Sequence, residues 1–401
     1  MNIKYLTYSP NICIVGIIFF VSPLLSLPFV LRSIYDRQKG SFFLFSLFMG
    51  LLAFLTPPFA DLYRHYDNYL FWEGLHWDDW SWELLFLNGL IQVPYMLFVN
   101  NGISFEYVRL MELFFGYLVM SHIFNDIIRN SQREYSKIDI FIRFIILLFT
   151  INFFYTVLGV RFGFALCLYS LAIYKLIQKK EVLSGFILWL LSIGWHLGIG
   201  LFSIPAYVLY KIKLSGKKTL IFFVICAFFI NTIIAVLSPL TAGRSEWYFS
   251  GDGNSATSYG QMSFAGLVLT LAGLVSQAPL FFHIFKTDMT TKMKKISISW
   301  TIISVSFITN AVVFGRAYWG STYIALICFF IMDSIKITPP RSVRYILCGA
   351  LMAFLINVLS YRYGAINYYK TIFPLPYVLN HHYNDSWINK NIDSETGNFK
   401  E

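Results

Sequence analysis

The sequence predicts an all-α, polytopic membrane protein with about twelve transmembrane helices or half-helices. Hydrophobic residues make up 57 % of the 401 residues and charged residues only 13 %, and the mean hydropathy is +0.61. Long apolar runs recur along the whole chain, and basic residues gather in the connections between alternate runs. A bilayer excludes unpaired backbone polar groups, so such a composition indicates membrane helices.

The apolar runs have lengths that suit a bilayer span or a half-span. They lie near Asn11–Leu31, Ser41–Phe59, Phe105–Ile128, Ile138–Gly159, Phe162–Gln178, Ser184–Trp195, Leu197–Tyr210, Leu220–Leu240, Phe264–Phe285, Ile296–Phe314, Tyr318–Met332 and Tyr345–Tyr361.

Basic residues predict which side of the membrane each connection faces. Six short connections hold 20 of the 31 Lys and Arg residues. They carry Arg32, Arg37 and Lys39; Arg129, Arg133 and Lys137; Lys175, Lys179 and Lys180; Lys211, Lys213, Lys217 and Lys218; Lys286, Lys292, Lys294 and Lys295; and Lys336, Arg341 and Arg344. Because short loops rich in Lys and Arg stay in the cytoplasm, both termini are expected outside. Arg64, Arg161, Arg244 and Arg316 then also lie at the outer side.

The chain is expected to form a single integral membrane domain over residues 1–401. Three outer segments interrupt the apolar pattern: about 60–104, about 241–262, and the C-terminal tail 362–401. A full crossing by Leu84–Val99 would place the next basic loop outside, so this stretch is expected to lie in the outer interface. All five cysteines sit in apolar runs, which argues against disulfides and a metal cluster. The net charge of +10 resides largely in the loops and does not indicate nucleic-acid binding.

Two outer arginines are candidates for binding an anion. Arg161 is expected to open a helix, where free backbone N–H groups and a guanidinium together suit a phosphate. Arg316 is expected to begin another helix after a turn at Gly315, which mirrors the position of Arg161. The alternative for Arg161 is snorkelling towards lipid headgroups.

His196 lies between glycines in an apolar stretch from Val182 to Tyr210. That stretch is too long for one span and too short for two spans with a loop, so two shortened helices are expected to meet at the histidine. A polar side chain at a helix break in a membrane is a candidate for function. A structural histidine bonded to a neighbouring carbonyl is the alternative.

The outer segments offer further candidates. Asp67 could act as a base, accept a hydrogen bond from a sugar hydroxyl, or pair with Arg64, and Asp61 is the competing carboxylate. Arg244 with Tyr248 could close over a substrate, or Arg244 could be a solvated loop residue. The sequence contains no nucleotide-binding glycine pattern, zinc spacing or nucleophile elbow. An activated lipid is therefore the expected substrate.

These residues, taken in order, resemble the EpsG-like branch of the Wzy-type polysaccharide polymerases. The resemblance consists of an outer Tyr66-Asp67-Asn68-Tyr69 segment, Arg161 followed by small and apolar residues, a half-helix from His196 to Pro205, the Arg316-Ala317-Tyr318 sequence, and an aromatic tail with Tyr368, Tyr369, Pro376 and Tyr377.

The resemblance implies a GT-C-like enzyme of the bacterial inner membrane whose active site faces the periplasm. It would transfer a growing glycan from undecaprenyl diphosphate to a new lipid-linked repeat unit, as in O-antigen assembly. His196 or Asp67 would accept the proton, and Arg161 would stabilise the diphosphate. Arg316, Arg244, Arg64, Tyr66, Tyr69, Tyr318 and Tyr248 would bind diphosphate or glycan.

Neither a cofactor nor a metal is expected. Membrane lipids, a chain-length regulator and a flippase are the expected partners. The alternatives are a flippase or exporter of the same lipid-linked unit, and a membrane O-acetyltransferase. A flippase should carry cations through the depth of a central cavity, whereas an acetyltransferase needs a histidine that meets a cytoplasmic acyl donor.

Overall fold

In the computed structural model, residues 11–75, 79, 89–212, 264–288, 291–308, 311–394 and 397–400 are described. Helices dominate these residues, which contain one isolated β-bridge, between Ile392 and Phe399. The all-α prediction is therefore confirmed. The predicted run Leu220–Leu240 and the outer segment 241–262 lie outside the described residues.

The described helices are numbered here in chain order. They are α1 (Ile12–Val21), α2 (Pro23–Tyr35), α3 (Ser41–Phe54), α4 (Asp61–Leu70), α5 (Gln92–Asn100), α6 (Phe105–Arg129), α7 (Lys137–Thr150), α8 (Phe153–Leu158), α9 (Val160–Ile173), α10 (Val182–Trp195), α11 (Gly198–Ile212), α12 (Phe264–Ser276), α13 (Ala278–Lys286), α14 (Lys292–Ser306), α15 (Ala311–Ser334), α16 (Pro340–Ser360), α17 (Leu375–Leu379) and α18 (Asp385–Asn391). A π-helical turn over Tyr174–Lys179 extends α9, and two 3-10 turns, Arg362–Ala365 and Tyr368–Ile372, follow α16.

Three helical stretches of the described chain are long and apolar enough to cross a bilayer: Val160–Lys179, Val268–Lys286 and Pro340–Ser360. Five shorter apolar helices accompany them. The protein is thus a helical membrane protein. The count of twelve passages and a GT-C-like arrangement stay predictions.

One end of the helix bundle collects connections that carry the predicted cytoplasmic charges. Lys137 pairs with Asp36 at 2.7 Å, and Lys179 pairs with Asp126 at 2.6 Å. Arg143 holds the buried carboxylate of Asp333 at 2.5 Å. These pairs join segments that are far apart in the sequence, so the described basic connections that take part in them lie at one end of the helix bundle.

The opposite end is built from α4 and the C-terminal tail. The N–H of Ala60 donates to the carbonyl of Gly397 at 2.7 Å, and the N–H of Tyr383 donates to Glu106 at 3.1 Å. Tyr383 is buried. The tail therefore folds back onto the bundle instead of extending away from it.

Buried hydrogen bonds hold the connection from α3 to α4. The guanidinium of Arg109 donates to the carbonyl of Phe54 at 3.3 Å, and the hydroxyl of Tyr383 donates to the carbonyl of Leu55 at 2.6 Å. Carbonyls at the end of a helix lack partners within it, so these donors satisfy them. These two hydrogen bonds fix the end of α3, from which the connection leads into α4.

The helix break at His196 is confirmed, because α10 ends at Trp195 and α11 begins at Gly198. The predicted start of a helix at Arg316 is wrong: α15 begins at Ala311, so Arg316 lies in its second turn. The hydroxyl of Ser304 in α14 donates to the carbonyl of Ala317 at 2.8 Å. Small residues let α14 and α15 approach closely here, and Gly315 is part of the helix and not of a turn.

The outer stretch Leu84–Val99 is described only from Gly89 onwards. Within it, α5 has nine residues, which correspond to about 14 Å of helix rise. The hydrocarbon core is about 30 Å thick. The described part is therefore too short to cross, and a position in the outer interface stays a prediction.

Reporter fusions test which end faces the cytoplasm. A fluorescent protein that folds only in the cytoplasm should glow when it is fused after Gly216, because a basic connection precedes that point. The same reporter fused after Gly253 should stay dark. Both fusion points lie outside the described residues. The test therefore reports only on which side of the membrane each point lies. The reverse pattern of fluorescence would move the outer arginines to the cytoplasm.

Candidate functional site

Three arginines from distant parts of the chain meet at the end opposite the basic loops. Arg316 on α15 contacts Asp61 on α4, with 3.3 Å between Nη2 and Oδ2. Arg161 on α9 and Arg64 on α4 lie close enough for their charges to act on Asp61 as well. All three arginines also act on His65. We refer to Asp61, Arg64, His65, Arg161 and Arg316 as the arginine cluster.

The sequence of α4 explains how it faces the bundle. Leu62, His65 and Tyr69 are buried, and their spacing of three and four residues places them on one side of a helix. Asp61 lies one turn before His65 on that side. Its carboxylate is also at the helix N-terminus, where a negative charge is favourable. The helix thus presents Asp61 and His65 towards α9 and α15.

The electrostatics of the cluster favour an additional anion. Burial raises the pKa of Asp61, but the positive charges of Arg316, Arg161 and Arg64 have the larger combined effect. The pKa of Asp61 is therefore lowered below its usual value. Burial and the charge of Arg161 lower the pKa of His65 to about 3. At neutral pH, one carboxylate therefore faces three guanidinium groups beside a neutral imidazole. The side chains of Arg316 and Asp61 remain 28 % and 36 % exposed, so a solute can reach them.

Glu112 is a neighbour of the cluster that the sequence analysis missed. It is fully buried in α6, and its Oε1 accepts a hydrogen bond from Trp195 Nε1 at 2.6 Å. The charge of Arg161 acts on it. An acidic residue within an apolar run is an expensive feature and could have been singled out on that ground. The charge of Arg161 therefore acts on two acidic residues, Asp61 and Glu112.

The imidazole of His196 caps the helix break in which it lies. Its Nδ1 accepts a hydrogen bond from the N–H of Gly198 at 3.0 Å, and its ring packs edge-on against Phe162, with centroids 5.2 Å apart. In a neutral ring whose Nδ1 accepts, Nε2 carries the proton. This hydrogen bond gives His196 a structural contact with its own turn, and both the bond to a neighbouring carbonyl and the role of proton acceptor stay predictions.

Asp67 lies on a different side of α4 from Asp61 and His65. It is two positions after His65, or about 200° around the helix axis, and it is exposed. Burial raises its pKa, and the arginines of the cluster are not among the groups that act on it. The structure thus brings Asp61, the competing carboxylate, to the arginines.

The three described tyrosines among the predicted site residues take other contacts. Tyr66 donates to Asp385 of the tail at 2.9 Å, and Tyr69 donates to the carbonyl of Ile103. Tyr318 donates to the carbonyl of Leu274 at 2.8 Å. Their hydroxyls stabilise the fold in this arrangement, and a role in binding glycan stays a prediction.

Two of the predicted site residues belong to the outer segment at about 241–262. Arg244 and Tyr248 lie outside the described residues. Among the described residues, no group of three or more His, Cys, Asp or Glu side chains could hold a metal ion.

Comparison with protein-family models matches residues 95–377 to the EpsG family. The matched range includes Arg161, His196 and Arg316, whereas α4 precedes it. No curated protein and no solved structure matches the chain.

Proposed function

Because this chain belongs to the EpsG family, whose members are similar to polysaccharide polymerases, we propose that it polymerises oligosaccharide repeat units carried on undecaprenyl diphosphate. The reaction would occur at the periplasmic face of the bacterial inner membrane. The product would be O-antigen or a similar surface polysaccharide.

The observation that carries this proposal is the convergence of Arg64, Arg161 and Arg316 on Asp61. A lipid diphosphate has several negative charges, and its charge increases at the oxygen that leaves the anomeric carbon. Guanidinium groups form forked, charge-assisted hydrogen bonds to such oxygens. Cations held in place before the reaction stabilise that developing charge.

The contact between Arg316 and Asp61 suggests how the substrate could enter. Both side chains are partly exposed, and 3.3 Å separates the guanidinium nitrogen from the carboxylate oxygen, so a solute can reach the pair. A diphosphate can therefore replace Asp61 as the partner of Arg316. This exchange frees the carboxylate at the place where the acceptor sugar would bind.

The reaction that we propose is a displacement at the anomeric carbon. The acceptor hydroxyl oxygen forms the new glycosidic bond as the bond between the anomeric carbon and the diphosphate oxygen breaks. The diphosphate leaves with the electron pair, and the hydroxyl proton passes to the Asp61 carboxylate.

Deletion of the gene separates a polymerase from the alternatives. In a host that transfers repeat units to the lipid A core, cells without the protein should display cores with single units, since flipping and ligation remain intact. Gel separation of the surface glycan measures this length. Complete loss of capped cores would favour a flippase or exporter. Glycan of normal length that lacks acetyl groups would favour an O-acetyltransferase.

A further inference from the structure

A cavity of about 340 Å³ lies beside the arginine cluster. It is bordered by the end of α7, the start of α8, and by α12, α15 and α16. Its volume falls at the lower end of the range of about 300–1,000 Å³ that is typical of small-molecule sites. The proposed roles of the arginines do not account for it.

Two residues of α15 join the cavity to the cluster. Gly315 lines the cavity and directly precedes Arg316. Trp319 also lines it and follows Arg316 by three residues, so the two side chains lie on the same face of the helix. The Trp319 ring is 5.4 Å from the ring of Phe162, the residue after Arg161. The cavity therefore begins within about one helix turn of the proposed diphosphate site.

The chemistry of the lining indicates an uncharged, polar ligand. Most of the lining residues carry a hydroxyl, amide or aromatic side chain, and none of those that the structure describes is acidic or basic. Hydroxyls and amides can both donate and accept hydrogen bonds. A charged ligand would lose its hydration here without meeting an opposite charge. A ligand with several hydroxyls finds suitable partners.

Two polar atoms of the lining lack a partner in the described part of the protein. They are Oγ1 of Thr150, at the end of α7, and Oδ1 of Asn357 on α16. Buried polar groups of folded proteins are nearly always hydrogen-bonded, so such atoms call for an explanation. An apolar chain in the cavity would leave both without a partner, whereas a ligand hydroxyl can bond to either.

Aromatic rings form one wall of the cavity. The ring of Tyr155 lies 5.6 Å from that of Trp319 and 5.9 Å from that of Tyr361, and all three residues line the cavity. A sugar ring has C–H groups on its faces and hydroxyls around its edge. Aromatic surface beside a few polar groups therefore suits a sugar, since the faces pack against the rings and the edge bonds to the polar groups.

The cavity reaches from the outer end of the bundle into its apolar part. Along α16 it is lined from Ala353 to Ser360, a helix rise of about 10 Å. The other end of α16, at Pro340, adjoins one of the basic loops. Hydroxyl and amide groups at such a depth are costly unless they have partners. A polar ligand that enters from the outer end would supply them.

We propose that this cavity binds an uncharged sugar of the donor glycan, namely the sugar attached directly to the diphosphate that Arg161 and Arg316 bind. The inference rests on the proposed function and adds the place and the charge class of this sugar to it. The aromatic wall packs against the sugar ring, and Thr150 and Asn357 bond to its hydroxyls. The reacting anomeric carbon is thereby held between the cavity and the arginines.

Binding of two lipids to the purified protein tests this inference. One probe is the lipid-linked repeat unit isolated from cells that lack the protein, and the other is undecaprenyl diphosphate, which has no sugar. Native mass spectrometry measures both affinities. Thr150→Val keeps the shape of the side chain but removes the hydroxyl. It should weaken binding of the repeat unit by about three- to tenfold, the usual effect of one hydrogen bond, without changing that of undecaprenyl diphosphate.

Asn357→Leu is a second variant that should give the same difference between the two lipids. It removes the carbonyl oxygen that would bond to the sugar. The melting temperature separates sugar binding from a structural role. Because Thr150 Oγ1 has no hydrogen-bond partner in the described part of the protein, Thr150→Val should not lower the melting temperature of the protein without lipid.

Ser33→Ala is the matched control. The Ser33 hydroxyl is also buried without a partner among the described residues, but it lies on α2 and does not line the cavity. Affinity for the repeat unit that is unchanged in both cavity variants, or reduced equally by the control, would overturn the inference. An equal loss of affinity for both lipids would overturn it too. A wild-type protein that binds neither lipid would contradict the proposed function instead.

Analysis of the repeat unit tests the charge class separately. Mild acid releases the oligosaccharide from the diphosphate, and borohydride reduction marks the sugar that was attached there. Mass spectrometry should identify this sugar as a neutral one. A hexuronic acid at that position would overturn the inference, because the described lining offers no cation to pair with its carboxylate.

Discussion

Replacing Arg161 by alanine is expected to abolish polymer while the amount of protein in the membrane stays normal. Loss of one group that stabilises charge at a reacting centre typically costs about 100- to 1,000-fold in rate. Arg161→Lys should also be severely impaired, because lysine retains the charge but not the forked hydrogen-bonding geometry. The length distribution of the surface glycan and an immunoblot of membranes measure the two quantities.

Arg362→Ala is the control for this experiment. Arg362 is an exposed arginine that follows α16 and lies over the ring of Tyr363, outside the arginine cluster. It should support polymer of normal length. If Arg161→Ala also made polymer of normal length, Arg161 would serve only to contact lipid headgroups, and the proposed diphosphate site would be wrong.

Replacing Asp61 by asparagine is expected to reduce polymerisation by about 100- to 10,000-fold, which is the usual range for loss of a general base. Asparagine keeps the shape of the side chain but can neither accept the proton nor pair with Arg316 as an anion. The rate of chain extension on isolated lipid-linked units is the quantity to measure. Membrane levels of the variant check that α4 still folds.

Asp67→Asn is the matched comparison, since it makes the same chemical change six residues later on the same helix. Asp67 is exposed, and the charges of Arg161 and Arg316 do not act on it, so this variant should retain most of the activity. The opposite result, with Asp67→Asn inactive and Asp61→Asn active, would indicate that Asp67 and not Asp61 accepts the proton. It would also mean that the contact between Asp61 and Arg316 is purely structural.

A titration tests whether ionisation of His65 contributes to the pH dependence of the activity. Because its pKa is lowered to about 3, His65 stays neutral between pH 5 and pH 8 in the folded protein. The activity profile in that interval should therefore show no step that disappears in His65→Gln.

Local features of the sequence were sufficient to predict much of the architecture. Basic loops are recognisable because short loops rich in Lys and Arg stay on one side of a membrane. The structure brings several of the described loops together at one end. The break at His196 followed from the length of the surrounding apolar stretch. Arg161 was likewise found at the start of its helix, in the first turn of α9.

Boundaries that depend on packing were not predictable in this way. Glycine at position 315 suggested a turn, but α15 continues through that residue, and Ser304 of α14 packs against the same helix at Ala317. The outer tail interrupts the apolar pattern of the sequence, yet Tyr383 is buried and its hydroxyl donates to the carbonyl of Leu55. In both cases the deciding partner lies on another element.

The sequence by itself determined that this is a helical membrane protein with arginines collected away from its basic loops. Only the tertiary structure decided which groups those arginines meet. Asp61 and Asp67 are equivalent as residues of one polar segment, and the burial of Leu62 and Tyr69 turns Asp61 towards Arg316. Glu112 becomes a neighbour of Arg161 because α6 packs against α9, and Trp195 on α10 reaches the same residue. Composition and periodicity act over a few residues, whereas a charge cluster requires side chains from separate helices to converge, and that convergence depends on how the helices pack.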